Sequence, residues 1–107
     1  MSGRTNDEVL ADFKARYPGW SVQIDRLGEI LATREKSIDQ IKEKFGLIRC
    51  YFSPYDKETQ GLVSSVEGDS GEICCDCGKP GRVDSWAGYW MLCLCDDCGE
   101  KRRNERK

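Results

Sequence analysis

The chain contains no histidine. That removes the side chain most often used as a general base near pH 7, and with it the usual nitrogen ligand of a catalytic zinc. No GxSxG, Walker-type loop or GxGxxG is present, so those routes to hydrolysis or phosphate binding have no foothold. No run approaches the roughly 18 apolar residues of a membrane helix. The start, Met1 to Asp12, is polar and acidic without an apolar h-region, which predicts a cytoplasmic location where thiols stay reduced. Repeats and low-complexity tracts are also missing. These absences predict a soluble protein that is not an enzyme.

What the chain has is cysteine, seven in all. Cys74-Cys75-Asp76-Cys77-Gly78 is answered by Cys95-Asp96-Asp97-Cys98-Gly99, with seventeen residues between Cys77 and Cys95. A CxxC turn holds two thiolates close enough to share a metal, and two such knuckles supply the four soft ligands of a tetrahedral site. The glycine after each pair reads as relief of a positive φ where the backbone curls around the metal. A four-thiolate set is closed to water and substrate, so one structural Zn2+ on Cys74, Cys77, Cys95 and Cys98 is expected. Two disulfides are the alternative, opposed by the reducing compartment and by the odd count. Cys50 and Cys93 stand among apolar residues and read as buried thiols. Cys75 competes for a ligand place, but only spacing from Cys74 matches that of Cys95 and Cys98. As a nucleophile Cys75 is disfavoured, because neighbouring thiolates and Asp76 push its pKa up. Asp96-Asp97 reads as a solvated acidic pair beside a negative centre, not as an acid–base couple.

With 107 residues, the length prior gives one domain. It divides into an α+β body over 1–71, a zinc-ribbon module over 72–100 and a basic tail over 101–107. The 17 basic and 19 acidic residues nearly balance, yet the tail carries +4 and residues 1–100 carry −6. A body this acidic argues against wrapping nucleic acid and for a basic partner surface.

Thr5 to Glu8 is a capping box, followed by Val9, Leu10, Phe13 and Tyr17 on one helical face and stopped by Pro18-Gly19. A second helix runs from about Trp20 with Ile24, Leu27, Ile30 and Leu31 inward. The same period continues through Ile38, Ile41 and Phe45, which permits one long helix to Gly46. Ile48, Tyr51 and Phe52 begin a β-rich run, which permits a hairpin instead. Pattern alone leaves the two open. Asp56 to Glu67 has one short helix's worth of apolar residues, and Gly68-Asp69-Ser70-Gly71 reads as a linker. Arg82 to Trp86 and Tyr89 to Leu94 flank Ala87-Gly88 as a hairpin of a zinc ribbon.

Gln40-Ile41-Lys42-Glu43-Lys44-Phe45-Gly46 with Arg49 and Tyr51, Gly19-Trp20 upstream and CxxCGxPG downstream resemble a family of small, mostly uncharacterised bacterial and phage proteins. The resemblance covers about Gly19 to Cys98. It implies a β-hairpin, strands 37–42 and 47–53, in place of the long helix. The chain departs from the pattern at Cys98, where histidine is common, and at Cys50, where an aromatic is usual. The family carries no activity across.

Two binding functions follow. In the first, Lys42, Lys44, Phe45 and Arg49 around a surface turn contact a host protein or protein complex. A small, zinc-stapled, phage-like protein suits a stoichiometric inhibitor or adaptor, for example of a nucleic-acid-guided defence system, by analogy alone. In the second, Lys101, Arg102 and Arg103 contact nucleic-acid phosphates while Trp86, Tyr89 and Trp90 stack on bases. Packing inside a small ribbon is the competing reading of those aromatics. The protein partner is the reading adopted.

Overall fold

The computed structural model describes residues 5–86 and 91–105, the side chain of Glu105 excepted. Asn6–Arg16 (α1) begins at Thr5, whose Oγ1 accepts the Glu8 N–H at 3.1 Å while the Thr5 N–H donates to Glu8 Oε1 at 2.8 Å. The reciprocal pair satisfies two donors that a helix start otherwise leaves orphaned. Leu10 and Phe13 are buried, and Val9 and Tyr17 half-buried. Pro18–Trp20 makes one 3-10 turn, and Ser21–Thr33 (α2) follows with Ile24, Leu27 and Leu31 inward on the helical period.

Ser37–Lys44 (β1) and Leu47–Ser53 (β2) then pair antiparallel, so the hairpin and not the long helix is formed. Its turn, Phe45-Gly46, has φ of +53° and +85°, the double left-handed geometry whose twist matches two-residue hairpins. Glu43 Oε2 accepts the Gly46 N–H at 2.7 Å and helps hold Phe45 where a side chain is disfavoured. Ile48, Cys50 and Phe52 face the core, while Arg49 and Tyr51 point away from it.

A two-stranded sheet has two exposed edges, each with unpaired backbone groups. Here helix side chains satisfy β2 along its length and β1 at its start. Lys57–Ser70 (α3), capped by Asp56 through the Thr59 N–H, lies along β2. Its Ser70 Oγ accepts the Ile48 N–H at 2.9 Å, and its Glu67 Oε2 accepts the Cys50 N–H at 2.8 Å. On the other side, Asn6 of α1 accepts the Ile38 N–H at 2.9 Å and donates to the Lys36 carbonyl at 2.8 Å. These contacts explain why residues 68 to 70 continue a helix instead of forming the expected linker. Glycine costs a helix about 1 kcal/mol relative to alanine, and the tertiary bonds of Glu67 and Ser70, with the Arg26–Asp69 pair, outweigh it.

Arg82–Asp84 (β3) and Leu92–Leu94 (β4) form a second antiparallel pair, and Asp96–Glu105 (α4) follows directly. The expected turn at Ala87-Gly88, with Tyr89 and Trp90, lies outside the described residues. The protein is thus α+β. Its core is continuous across residue 71: Trp20, Ile24, Leu27, Leu31, Ile48, Val63 and Val66 share one cluster with Cys74, Cys75, Cys93 and Leu94. Among the described residues, no helix is long and apolar enough to cross a membrane.

Burial raises the pKa of Glu67 above its ordinary 4.5, opposed by the Cys50 N–H and by Arg49. A carboxyl raised on folding binds its proton more tightly in the folded chain. Its contribution to stability is therefore full at low pH and lost as pH rises from 4.5 through the folded value. Glu67→Gln should flatten that part of the stability curve, read as the difference between variant and wild type in urea unfolding from about pH 4 to about pH 7. Parallel curves would mean the carboxylate is not desolvated.

Candidate metal centre

Two segments converge on the centre. The first is a tight knuckle: the Cys74 N–H donates to the Lys79 carbonyl at 2.7 Å, the Gly78 N–H donates back to the Cys74 carbonyl at 2.9 Å, and Gly78 has φ +84°. The second is the start of α4. Cys95 leaves β4, its Sγ accepts the Cys98 N–H at 3.4 Å and its carbonyl accepts the Gly99 N–H at 2.8 Å. The second CxxC is therefore the first turn of a helix and not a copy of the first knuckle. Gly99 is helical, so the positive φ expected there is replaced by a different need. Any Cβ on Gly99 would lie 2.2 Å from Trp86 Cε3, and the glycine gives the indole its seat.

The sulfurs of Cys74, Cys77, Cys95 and Cys98 all lie within 4.8 Å of one another, with Cys77 and Cys95 at 3.6 Å. A tetrahedron built on Zn–S bonds of about 2.3 Å has edges of about 3.8 Å, so the donor set has the size of a metal site. None of the seven cysteines is in a disulfide. Cys74 and Cys95 are buried, Cys98 half-buried and Cys77 exposed.

Electrostatics also call for a cation. Burial works to raise the pKa of Cys74, but backbone N–H groups of Cys95, Cys77 and Asp76 outweigh it and bring the thiol down to about 7. Cys98 moves the other way, raised by burial and then by contact with the other three sulfurs. One thiolate forms readily and the next must form against its charge, a conflict that a bound divalent cation removes. The remaining cysteines stay outside the set. Cys50 and Cys75 are pushed up to about 12 and Cys93 to about 11, in each case chiefly by burial. They are inert, buried thiols. Cys75 serves through its backbone, donating to the Cys93 carbonyl at 2.9 Å and accepting the Gly19 N–H at 2.8 Å.

That last bond seats the knuckle on the body. A Cβ on Gly19 would lie 2.1 Å from the Cys74 carbonyl oxygen and 2.6 Å from the Gly78 nitrogen. Next to it the fully buried Trp20 donates from Nε1 to the carbonyls of Ser70 and Ile73 at 3.0 and 2.8 Å. From its neighbours in the sequence, Gly19 reads as a helix stop. Nothing local in the sequence marks a contact with residues more than fifty positions away.

Asp96 and Asp97 are both exposed, the solvated pair expected from the sequence, and Asp96 pairs with Arg82 at the surface. Asp76 is more shielded and takes both Nε and Nη2 of Arg102, at 2.9 and 2.8 Å. Arg102, one of three residues assigned to phosphates, is thus engaged with the knuckle. Arg103 donates from Nε to the Trp86 carbonyl at 3.3 Å, and Lys101 is exposed. Trp86 is 5 % exposed, with the Arg82 guanidinium 4.3 Å and the Arg103 guanidinium 6.0 Å from its ring. Its indole is covered and has no free face for a base.

Lys42, Lys44 and Arg49 lie on the outer side of the first hairpin, beside the exposed Phe45 of the turn. Arg49 reaches Glu67 at 3.8 Å. Lys42 and Lys44 lie over the rings of Tyr51 and Phe45 at 5.8 and 5.7 Å. Tyr51 is the missed member of this face; its position two residues after Arg49 on the strand's period of two is the signal that finds it.

Comparison with protein-family models, with curated proteins and with solved structures finds no match to this chain.

Gly19→Ala should dislodge the knuckle, because its new methyl meets backbone on every side and neither partner can turn away. The expected loss is about 3 kcal/mol or more, measured by chemical unfolding at fixed metal concentration. Wild-type stability would show that the knuckle does not rest there.

Proposed function

We propose that the protein is a non-catalytic binding protein, held in shape by one structural Zn2+, that engages another protein through the outer face of its first hairpin. Zinc is the assignment for the metal because four thiolates in a closed tetrahedral set suit it, and such a set leaves no open position for chemistry. The observation that carries the binding reading is the face itself. Lys42, Lys44 and Arg49 gather on one side of a hairpin with Tyr51 and with Phe45, which is 63 % exposed, in a chain whose first hundred residues carry −6. Exposed aromatic anchors beside cations are the composition of protein-binding hot spots. The nucleic-acid reading has less to work with, since Arg102 and Trp86 are engaged within the fold. The likeness to small phage and bacterial proteins directs the first search to host protein complexes, on which such a protein would act stoichiometrically.

Zinc carries the first test. Elemental analysis of purified protein should give one Zn2+ per chain. Cys77→Ser should lose the metal and unfold the module, since structural zinc binding is worth on the order of 10 kcal/mol near pH 7. Cys93→Ala should keep the metal at a cost of about 1 kcal/mol. Equal damage from both would place the ligands elsewhere.

The binding face carries the second test. Tagged protein is recovered from bacterial lysate with and without nuclease, and compared with Lys42→Glu/Lys44→Glu and with Lys101→Gln/Arg106→Gln/Lys107→Gln, which leaves the Arg102 and Arg103 contacts in place. The reading expects a partner that survives nuclease, is lost roughly tenfold or more on charge reversal and is kept when those tail charges are removed. Recovery that depends on nucleic acid and on the charges of Lys101, Arg106 and Lys107 would overturn it.

A further inference from the structure

The four sulfurs of the candidate metal centre come from two segments, two from the knuckle of Cys74 and Cys77 and two from Cys95 and Cys98 at the start of α4. Cys98 and Arg102 stand four positions apart on one face of α4, and Cys95 immediately precedes its first residue. From that face Arg102 reaches back to Asp76, which sits between Cys75 and Cys77 in the first knuckle, and binds both carboxylate oxygens. The side chains are 37 % and 29 % exposed, against 57 % and 79 % for Arg82 and Asp96. A forked, partly shielded pair fixes direction as well as distance, and solvent screens it less than the outer pair.

We propose that Arg102 is a positioning residue of the metal centre: its two-point grip on Asp76 ties the helix carrying Cys95 and Cys98 to the knuckle carrying Cys74 and Cys77, and so sets how slowly metal is released. The inference rests on the zinc reading above. Cys77 is the exposed ligand and the point where a competing chelator enters. The adjoining clamp keeps Cys77 facing the other three sulfurs while one bond is open, so the bond closes again before the next one breaks. Groups that orient ligands in this way change metal affinity by roughly 10- to 100-fold. The Arg82–Asp96 pair ties the same helix to β3 instead of to the knuckle, and its greater exposure gives it the smaller share.

The test is zinc release from the full chain to a chromogenic chelator, after metal content is measured, for wild type, Arg102→Gln, Arg102→Lys, Asp76→Asn and the double variant Arg102→Gln/Asp76→Asn. Cobalt spectra of each report whether four thiolates still bind. Arg102→Gln and Asp76→Asn should each release metal about tenfold faster, with the four-thiolate spectrum intact and the double variant no faster than the worse single. Arg102→Lys, which keeps the charge and loses the fork, should fall between wild type and Arg102→Gln. The two single variants change net charge in opposite directions. Slower release from Asp76→Asn would make overall charge the cause and overturn the clamp, as would unchanged rates or effects that multiply in the double variant. A wild-type chain without metal would instead overturn the zinc reading before any variant is compared.

Discussion

The backbone of Gly19 lies directly against the backbone of the first cysteine knuckle, and there is no space between them for even a methyl group. Much of the architecture depends on that approach. The Gly19 N–H goes to the Cys75 carbonyl, and the adjacent Trp20 indole holds the carbonyls of Ser70 and Ile73, at the end of α3 and the entrance to the knuckle. The indole also packs with Phe13 and Tyr17 of the first helix and its cap. One dipeptide thus joins α1, α2, α3 and the metal module. A module of about thirty residues buries too little surface to stand alone. It lies against the body, and its four sulfurs form a cluster of the size of a metal site.

The first hairpin shows the complementary solution, in which structure is closed off so that side chains alone face outward. Strand edges are templates for another strand, but β2 is satisfied by Ser70 and Glu67, and β1 meets Asn6 at its start. A partner would therefore find cations and rings on the outer face in preference to backbone groups along β2. Lys42 and Lys44 rest over aromatic rings, an arrangement that holds flexible cations near one position and lessens the ordering they must undergo on contact. The charge of this face opposes that of the body as a whole, so the net charge that points to a basic partner surface does not describe this face.

Much of this was legible in the residues, and what was not shares a cause. Thr5 and Glu8, the α2 period and each CxxC pair are signals written within a few positions; the capping box and the period appear as their spacing predicts, and the two pairs converge, the second as a helix start in place of a knuckle. The choice between helix and hairpin over residues 37 to 45 was not decided by pattern, because Ile38, Ile41 and Phe45 satisfy a helical period equally well. The bonds from Ser70 and Glu67 to β2 and from Asn6 to the start of β1 favour the hairpin, and they are not local information. Gly19, Gly99, Glu67, Ser70 and Arg102 were each read by neighbourhood, as a stop, a turn, a helix position, a linker and a tail. Each acts on a residue between 13 and 59 positions away, a range at which spacing rules say nothing.

The same long-range packing carries the metal centre's influence to the hairpin. Gly46 at the turn sits so close to β3 and β4 that a Cβ there would be 2.8 Å from Val83 Cγ1 and 3.3 Å from the Leu92 carbonyl carbon, and Leu47 packs against Gly71. Val83 pairs with Cys93 in the strand that leads to Cys95. Phe45 is therefore projected from a turn whose underside is the metal module. Its φ of +53° is unfavourable for a side chain and persists only where the surroundings over-determine it, here through Glu43 on one side and Val83 on the other. Loosening of β3 and β4 removes half of that constraint. The cysteines and the outer face of the hairpin, separate in sequence, are thus two ends of one packed unit.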